Sequence, residues 1–208
     1  CVKDKLNNET CRTGSTKTPT IVNPVIKFEN TPAQAINGYY KKQVANVTFD
    51  NANVSVPENY IKTTRAGVSN IATLQACGTG SIPSGCTDSK VTNLVANTWY
   101  RVSGNVSVTY DKTSTKTDTI YAMTYDGFNH SESSTTLSKN DGNKPIIKLN
   151  TITSKTNNIV ITYTASDSES GLDKVTCEYG TTTAYGTKVS SATTTSCVIT
   201  GLKQGTTY

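Results

Sequence analysis

Short runs in which apolar and polar residues alternate recur along most of this chain, and they constrain its fold more than any other feature. The run at 104–110 alternates cleanly, with Val106 and Val108 on one side. Similar runs return at intervals of about 8–12 residues, without helical periodicity. The pair Asp126-Gly127 follows one such run and is a common hairpin turn. Short strands at this spacing are typical of a β-sandwich, so the sequence predicts an all-β fold.

The composition points to sandwiches with a thin core. Of the 208 residues, 34% are hydrophobic and 7% are aromatic, which is low for a compact globule. Thr, Ser and Asn are abundant, as expected for strands that have one solvated face. Only 17% of the residues are charged, which argues against a disordered polyelectrolyte. The length allows one or two domains.

The charge pattern limits the partners of the chain. Its net charge of +5 comes from scattered Lys and Arg residues. A nucleic-acid site needs a concentrated basic face with aromatic residues among it, so we expect no nucleic-acid partner. A solvated surface is the simpler interpretation of these charges, and weak attraction to anionic cell-wall polymers or host glycans is the alternative. No apolar run approaches the roughly 20 residues that a helix needs to cross a bilayer.

Six cysteines occur in three local couples. These are Cys1 with Cys11, Cys77 with Cys86, and Cys177 with Cys197. Each couple lies in a turn-rich stretch, which favours local disulfide bonds over the other pairings of six cysteines. Zinc binding is the competing interpretation, but no CxxC spacing is present and His130 is the only histidine. We therefore predict three disulfides and an oxidising compartment.

Turn-rich stretches divide the chain into three parts. Residues 1–20 hold the first cysteine couple and a run rich in Thr, and they predict a disulfide-stapled segment followed by a linker. The strand pattern of a first sandwich occupies 21–142. The stretch 141–145 combines Gly with Pro145 and has no apolar side chain before it, which favours a bend between domains. A second series of strands runs through 143–208.

The strands before this bend resemble the final strands of bacterial Ig-like repeats. Residues 120–132 read IYAMTYDGFNHSE, and Lys139-Asn-Asp follows. Such repeats end in a hairpin of the form x-A-x-T-x-D-G-x-N-x-S, followed by a short Lys-Asx linker. The resemblance implies that residues 21–142 form an Ig-like β-sandwich of a bacterial surface protein.

The last part of the chain is similar to a fibronectin type III domain. In that family one corner between strands reads Leu-x-Pro-Gly-Thr-x-Tyr. Leu202, Gly205, Thr206 and Tyr208 match this pattern, while Gln204 replaces the proline. The resemblance implies that the Tyr208 hydroxyl bonds back to the chain a few residues upstream. Together, the two resemblances imply tandem Ig-like and fibronectin type III-like β-sandwiches.

The resemblances also bear on both ends of the chain. Residues 143–208 are fewer than the roughly 100 of a full sandwich, so we expect the second sandwich to lack its last strands. We expect the natural polypeptide to continue, and the alternative is that another subunit donates the missing strands. A mature bacterial lipoprotein begins with a lipidated cysteine, but lipidation of Cys1 would leave Cys11 without a partner.

Aromatic side chains supply the candidate glycan-binding residues. Tyr39, Tyr40, Trp99 and Tyr100 are the best candidates for stacking on a sugar ring. Core packing is the alternative for Trp99, because this residue begins a strong strand pattern. The solvent exposure of Trp99 discriminates between the two, since a sugar platform must be exposed.

One acidic cluster supplies the candidate metal site. Asp167, Glu169 and Asp173, helped by backbone carbonyls, could provide the six to eight oxygens that calcium needs. The spacing of an EF-hand is absent, and a polar turn between strands is the alternative. We expect no other cofactor.

Nothing in the sequence predicts a catalytic centre. His130 lies in a predicted hairpin loop, and the predicted disulfides leave no thiol nucleophile. The resemblances imply a non-catalytic extracellular structural or adhesive module, of which a subunit of a pilus-like bacterial surface filament is one form. Its expected partners are copies of itself or neighbouring modules. The alternative is an accessory or carbohydrate-binding region of a larger secreted enzyme.

Overall fold

All regular structure in the described part of the chain is β-strand, which confirms the predicted fold class. The structure is a computed structural model, and it describes residues 1–12, 14, 20–71, 74–87, 92–189, 193 and 195–208. Most of the linker predicted after Cys11 lies outside these residues. A small hairpin, β1 (Val2–Lys3) and β2 (Glu9–Thr10), precedes the sandwiches.

The remaining strands form two groups. The first group is β3 (Val25–Thr31), β4 (Tyr39–Tyr40), β5 (Lys42–Thr48), β6 (Glu58–Thr63), β7 (Gly67–Ser69), β8 (Gln75–Ala76), β9 (Asn93–Leu94), β10 (Trp99–Val102), β11 (Val106–Tyr110), β12 (Asp118–Tyr125), β13 (His130–Leu137) and β14 (Lys139–Asn140). The second group is β15 (Ile146–Lys155), β16 (Asn158–Ser166), β17 (Cys177–Tyr179), β18 (Thr187–Val189) and β19 (Ser196–Thr200). We call these groups the first and the second sandwich.

Two five-stranded sheets face each other in the first sandwich. Their strand orders are β13-β12-β6-β10-β8 and β3-β5-β11-β7-β9. Val106, Val108 and Tyr110 of β11 are buried, which confirms the alternation predicted for this strand. Inward residues of the two sheets, among them Ala45, Ile61 and Ile120, meet in one layer. This thin core agrees with the low apolar content of the sequence.

The predicted hairpin at Asp126-Gly127 is confirmed. It joins β12 to β13, and Gly127 has a φ of 95°, which glycine adopts without strain. The Asp126 carboxylate accepts hydrogen bonds from the backbone N–H groups of Phe128 at 2.8 Å and Asn129 at 2.6 Å. These bonds, led by the one from Asn129, lower the pKa of Asp126 below its ordinary value.

A second, smaller core covers the outer face of the β13-β12-β6-β10-β8 sheet. Tyr60, Trp99 and Met123 pack there with Cys77, whose disulfide to Cys86 closes a loop over them. The Nε1–H of Trp99 donates a hydrogen bond to the Gly80 carbonyl oxygen in that loop at 2.9 Å. The loop therefore has its own apolar anchor, and the sequence did not predict that Trp99 would lie on this face.

The Cys77–Cys86 bond is expected to stabilise the first sandwich. Replacing both cysteines with alanine should lower its free energy of unfolding by about 2–3 kcal/mol, because the open loop gains conformational entropy when unfolded. Urea unfolding followed by the fluorescence of Trp99 measures this change.

The matched control is the removal of Cys1–Cys11, which closes a hairpin whose residues are all exposed. This change should shift the same transition by less than about 0.5 kcal/mol. Equal losses in the two double variants would contradict a specific role for the loop over Trp99.

The second sandwich is smaller and more open. Strands β15, β16 and β19 form one antiparallel sheet, and β17 pairs with β18 in another. Tyr163, Cys197 and Ile199 are buried between the two sheets. By contrast, every residue of β15 is exposed, including Ile147 and Leu149. Residues 172–176 lie outside the strands, and β17 begins at Cys177.

Two sequence predictions about this sandwich have different outcomes. The Tyr208 hydroxyl accepts a hydrogen bond from the backbone N–H of Lys203 at 3.0 Å, so it bonds back to the chain as predicted. The predicted third disulfide is not formed in this structure, where Cys177 and Cys197 are both free thiols. They lie together in the apolar core between the two sheets, where thiols pack as small hydrophobic groups.

Candidate functional site

The candidate site is the joint between the two sandwiches, and it starts at β14. This strand pairs in parallel with β4, which brings Lys139 opposite Tyr39 and Asn140 opposite Tyr40. Asn140 is completely buried, and its Nδ2 donates a hydrogen bond to the Tyr110 carbonyl oxygen at 3.0 Å. The backbone N–H of Asp141 then donates to the Tyr40 carbonyl oxygen at 2.8 Å. The chain is therefore fixed to the first sandwich up to the point where it leaves.

Asp141 connects this exit point to the second sandwich. Its Oδ2 accepts hydrogen bonds from the Ser170 hydroxyl at 2.5 Å and from the Ser170 backbone N–H at 3.2 Å. Its Oδ1 accepts from the backbone N–H of Asn143 at 3.0 Å. Only 7% of the Asp141 surface is exposed. The hydrogen bond from the Ser170 side chain lowers the pKa of Asp141 below its ordinary value of 3.8.

A second hydrogen bond crosses the joint. The Asn37 Nδ2, in the loop between β3 and β4, donates to the Ser170 carbonyl oxygen at 2.6 Å. Gly171 follows with a φ of 83°, a conformation in which a side chain is strained, and a Cβ there would lie 3.2 Å from the Asn37 Nδ2. Ser170 is therefore held on both its side-chain and its carbonyl groups by residues of the first sandwich.

A close backbone contact sets the path of the chain after Asp141. A Cβ atom at Gly142 would overlap the Asp111 carbonyl oxygen, so the fold requires glycine at this position. The Gly142 N–H donates to the Thr113 hydroxyl at 3.0 Å. The stretch 141–145, whose Gly and Pro residues predicted a bend, therefore begins close to the edge of the first sandwich. We call the Asp141, Asn37 and Ser170 contacts the joint clamp.

The loop that carries Ser170 is organised by Asp167. The Asp167 Oδ1 accepts hydrogen bonds from the backbone N–H groups of Glu169 at 3.2 Å and Gly171 at 2.9 Å. This arrangement is the polar turn that was the alternative to a calcium site. It also positions the Ser170 hydroxyl and carbonyl toward Asp141 and Asn37.

The predicted acidic cluster forms with one different member. Carboxylate oxygens of Asp141, Asp167 and Glu169 lie within 4.8 Å of one another, whereas Asp173 is outside this group. Asp141 was missed because it is distant in sequence from the other two. Asp141 and Asp167 already accept several hydrogen bonds from the loop, and calcium at these carboxylates stays a prediction.

An open cleft of about 690 Å³ lies beside the joint clamp. Lys41, Lys144 and Lys174 line it together with Asp173 and apolar groups such as Ile146. Neither histidine nor cysteine is among the described residues that line it. Charges of both signs surround the cleft, so its electrostatics do not select one ligand class.

Two of the four predicted sugar-stacking residues are corrected by the structure. Trp99 is fully buried beneath the disulfide loop, and Tyr100 is 2% exposed within the core of the first sandwich. Neither ring is available as an exposed platform. Tyr39 and Tyr40 are half-buried at the joint, and the Lys139 Nζ lies 5.3 Å from the centroid of the Tyr39 ring. His130 is exposed at the start of β13.

Neither a protein-family model nor a curated protein sequence matches this chain. Helices long and apolar enough to span a membrane are absent from the described residues. The role of the joint clamp therefore follows from its own contacts and distances. Its members could not be paired from sequence, because Asp141 and Ser170 are 29 positions apart.

The joint clamp should weaken in acid. The pKa of Asp141 is lowered in the folded state, so its contribution to stability is present above the unfolded pKa of about 3.9 and is lost as the pH falls through the lower, folded pKa. The NMR shift of the Ser170 amide proton, followed from pH 6 to pH 2, should therefore titrate with a midpoint below 3.9.

The control for this titration is Asp141→Asn, which keeps the shape of the side chain and removes its charge. The Ser170 signal of this variant should titrate with a much smaller amplitude, because only the neighbouring Asp167 and Glu169 carboxyl groups remain. A midpoint at or above the ordinary value in the unmodified chain would contradict the clamp.

Proposed function

We propose that this chain is a load-bearing structural module of an extracellular bacterial surface protein, without catalytic activity of its own. The joint clamp carries this proposal, because it passes force from the exit strand of the first sandwich directly into the second. A subunit of a pilus-like filament is one form of such a module. Its partners are neighbouring modules or other copies of the chain, and the two loop disulfides fit an oxidising compartment.

The strand arrangement at the joint supports a mechanical role. Pulling on the C-terminal side loads the parallel pair of β14 with β4, because the chain leaves the first sandwich directly after β14. Pulling on the N-terminal side loads β3 first, along its ladder with β5 from Val25 to Thr31. Several hydrogen bonds must then break in one step, which makes a strand pair resistant to force.

The carbohydrate-binding alternative has less support. The burial of Trp99 and Tyr100 removes its strongest aromatic candidates, while Tyr39 and Tyr40 remain. Those two tyrosines lie on β4, where their backbone already contributes to the pairing with β14. The pairing of β4 with β14 needs no bound sugar, so it fits a structural role.

Force spectroscopy tests the proposal. Pulled between its first and last residues, the chain should show discrete unfolding events for both sandwiches rather than continuous extension at low force. The length released by the first sandwich should be roughly 25–30 Å longer in a Cys77→Ser/Cys86→Ser variant, since the disulfide shields a loop of sequence separation 9 from the load.

A Cys1→Ser/Cys11→Ser variant is the matched control. It removes a disulfide outside the first sandwich and should leave the length released by that sandwich unchanged. Extension of the unmodified chain without a discrete event would overturn the load-bearing role.

A further inference from the structure

Two free thiols from opposite sheets lie together in the core of the second sandwich. Cys177 begins β17 in the two-stranded sheet, and Cys197 lies in β19 of the three-stranded sheet. Both pack in the same apolar cluster as Tyr163. Cys177 lies close enough to Cys197 to contribute to the raised pKa of that thiol. A bond between these sulfur atoms would cross from one sheet to the other.

The two thiols differ in how they meet solvent. Cys197 is 1% exposed, whereas Cys177 is half-buried. Burial raises the pKa of Cys197 to about 12, and the neighbouring Cys177 adds to this effect. Cys197 therefore remains protonated at neutral pH, and Cys177 is the thiol that a dissolved reagent reaches first.

The core around these thiols is small, so a covalent bond across it should strongly affect the stability of the second sandwich. Tyr163, Cys197 and Ile199 are its fully buried members among the described residues. The Tyr163 hydroxyl donates a hydrogen bond to the Thr193 carbonyl oxygen at 2.7 Å, beside β19. By contrast, Cys1–Cys11 and Cys77–Cys86 each close a local loop and do not join the sheets of a sandwich.

We propose that Cys177 and Cys197 form a reversible redox latch, in which a small disulfide oxidant converts the thiol pair into a covalent bond between the two sheets. The Cys177 thiolate attacks one sulfur of the oxidant, forms a mixed disulfide and releases the first leaving thiolate. Cys197 then loses its proton and attacks the Cys177 sulfur, which releases the second. Two electrons pass to the oxidant, and the two cysteine protons neutralise its thiolates.

The chain with both loop disulfides, equilibrated in glutathione buffers of increasing oxidised fraction, tests the latch. Free thiols are trapped by alkylation, and the peptides are mapped by mass. A linked peptide pair containing Cys177 and Cys197 should increase with the oxidised fraction and disappear when the buffer is made reducing again.

Hydrogen exchange measures the consequence of the bond. The amides of β16 that pair with β19 should exchange about 100-fold more slowly in the oxidised chain, because the unfolded second sandwich is then constrained. The amides of β12, in the first sandwich, serve as an internal control and should not change. A Cys177→Ser variant should show no response to the oxidant.

Three results would overturn the latch, and none of them requires the variant to fold. The first is that Cys177 and Cys197 both remain open to alkylation in the most oxidising buffer. The second is a bond that persists in the most reducing buffer that leaves the loop disulfides intact, since the pair would then be a permanent staple. The third is an oxidised chain whose β16 amides exchange at the unchanged rate.

Discussion

The single layer of side chains between the two sheets of the first sandwich is the constraint on which the rest of the structure depends. Buried apolar area supplies most of the stabilisation of a fold, at about 25 cal/mol per Å², and a thin core supplies little of it. The chain adds apolar burial outside that layer, where the Cys77–Cys86 loop covers Trp99 and Tyr60 on the outer face of one sheet. A disulfide is required there because a short loop of small residues cannot fix its own conformation by burial.

The same scarcity of apolar groups explains how the two sandwiches are joined. Polar contacts hold the joint, through a buried carboxylate at Asp141 and the amide of Asn37, both bonded to Ser170. Charge-assisted hydrogen bonds of this kind are directional, so they fix orientation as well as distance. The clamp begins one residue after β14 ends, which connects the last hydrogen bonds of one sandwich to the loop between β16 and β17 of the next. This continuity is the basis of the proposed mechanical role.

Local patterns in the sequence predicted the features that depend on neighbouring residues. The alternation in β11, the turn at Asp126-Gly127 and two of the three cysteine couples all follow from short segments. The Tyr208 corner, predicted by resemblance, is equally local. Features that depend on packing between distant segments were not predicted. Trp99 was known to begin a strand, but which face it occupies depends on where the disulfide loop folds.

The joint shows the same division between local and distant contacts. A turn at Asp167 and Glu169 could be predicted from composition alone, and the structure contains one. That Asp141 rather than Asp173 completes the acidic cluster could not be predicted, because it depends on how one sandwich is placed against the other. Whether Cys177 and Cys197 are bonded also depends on how the two sheets pack, which cysteine spacing does not define.

The central claim is that the joint clamp holds the two sandwiches as one body, and backbone ¹⁵N relaxation tests it most directly. The unmodified chain should show one common rotational correlation time for amides of β12 and β16. An Asp141→Ala variant should show two different times, whereas Asp173→Ala, the same change of charge at an exposed aspartate outside the cluster, should behave like the unmodified chain. Separate tumbling of the two sandwiches in the unmodified chain, or no effect of Asp141→Ala, would contradict the account.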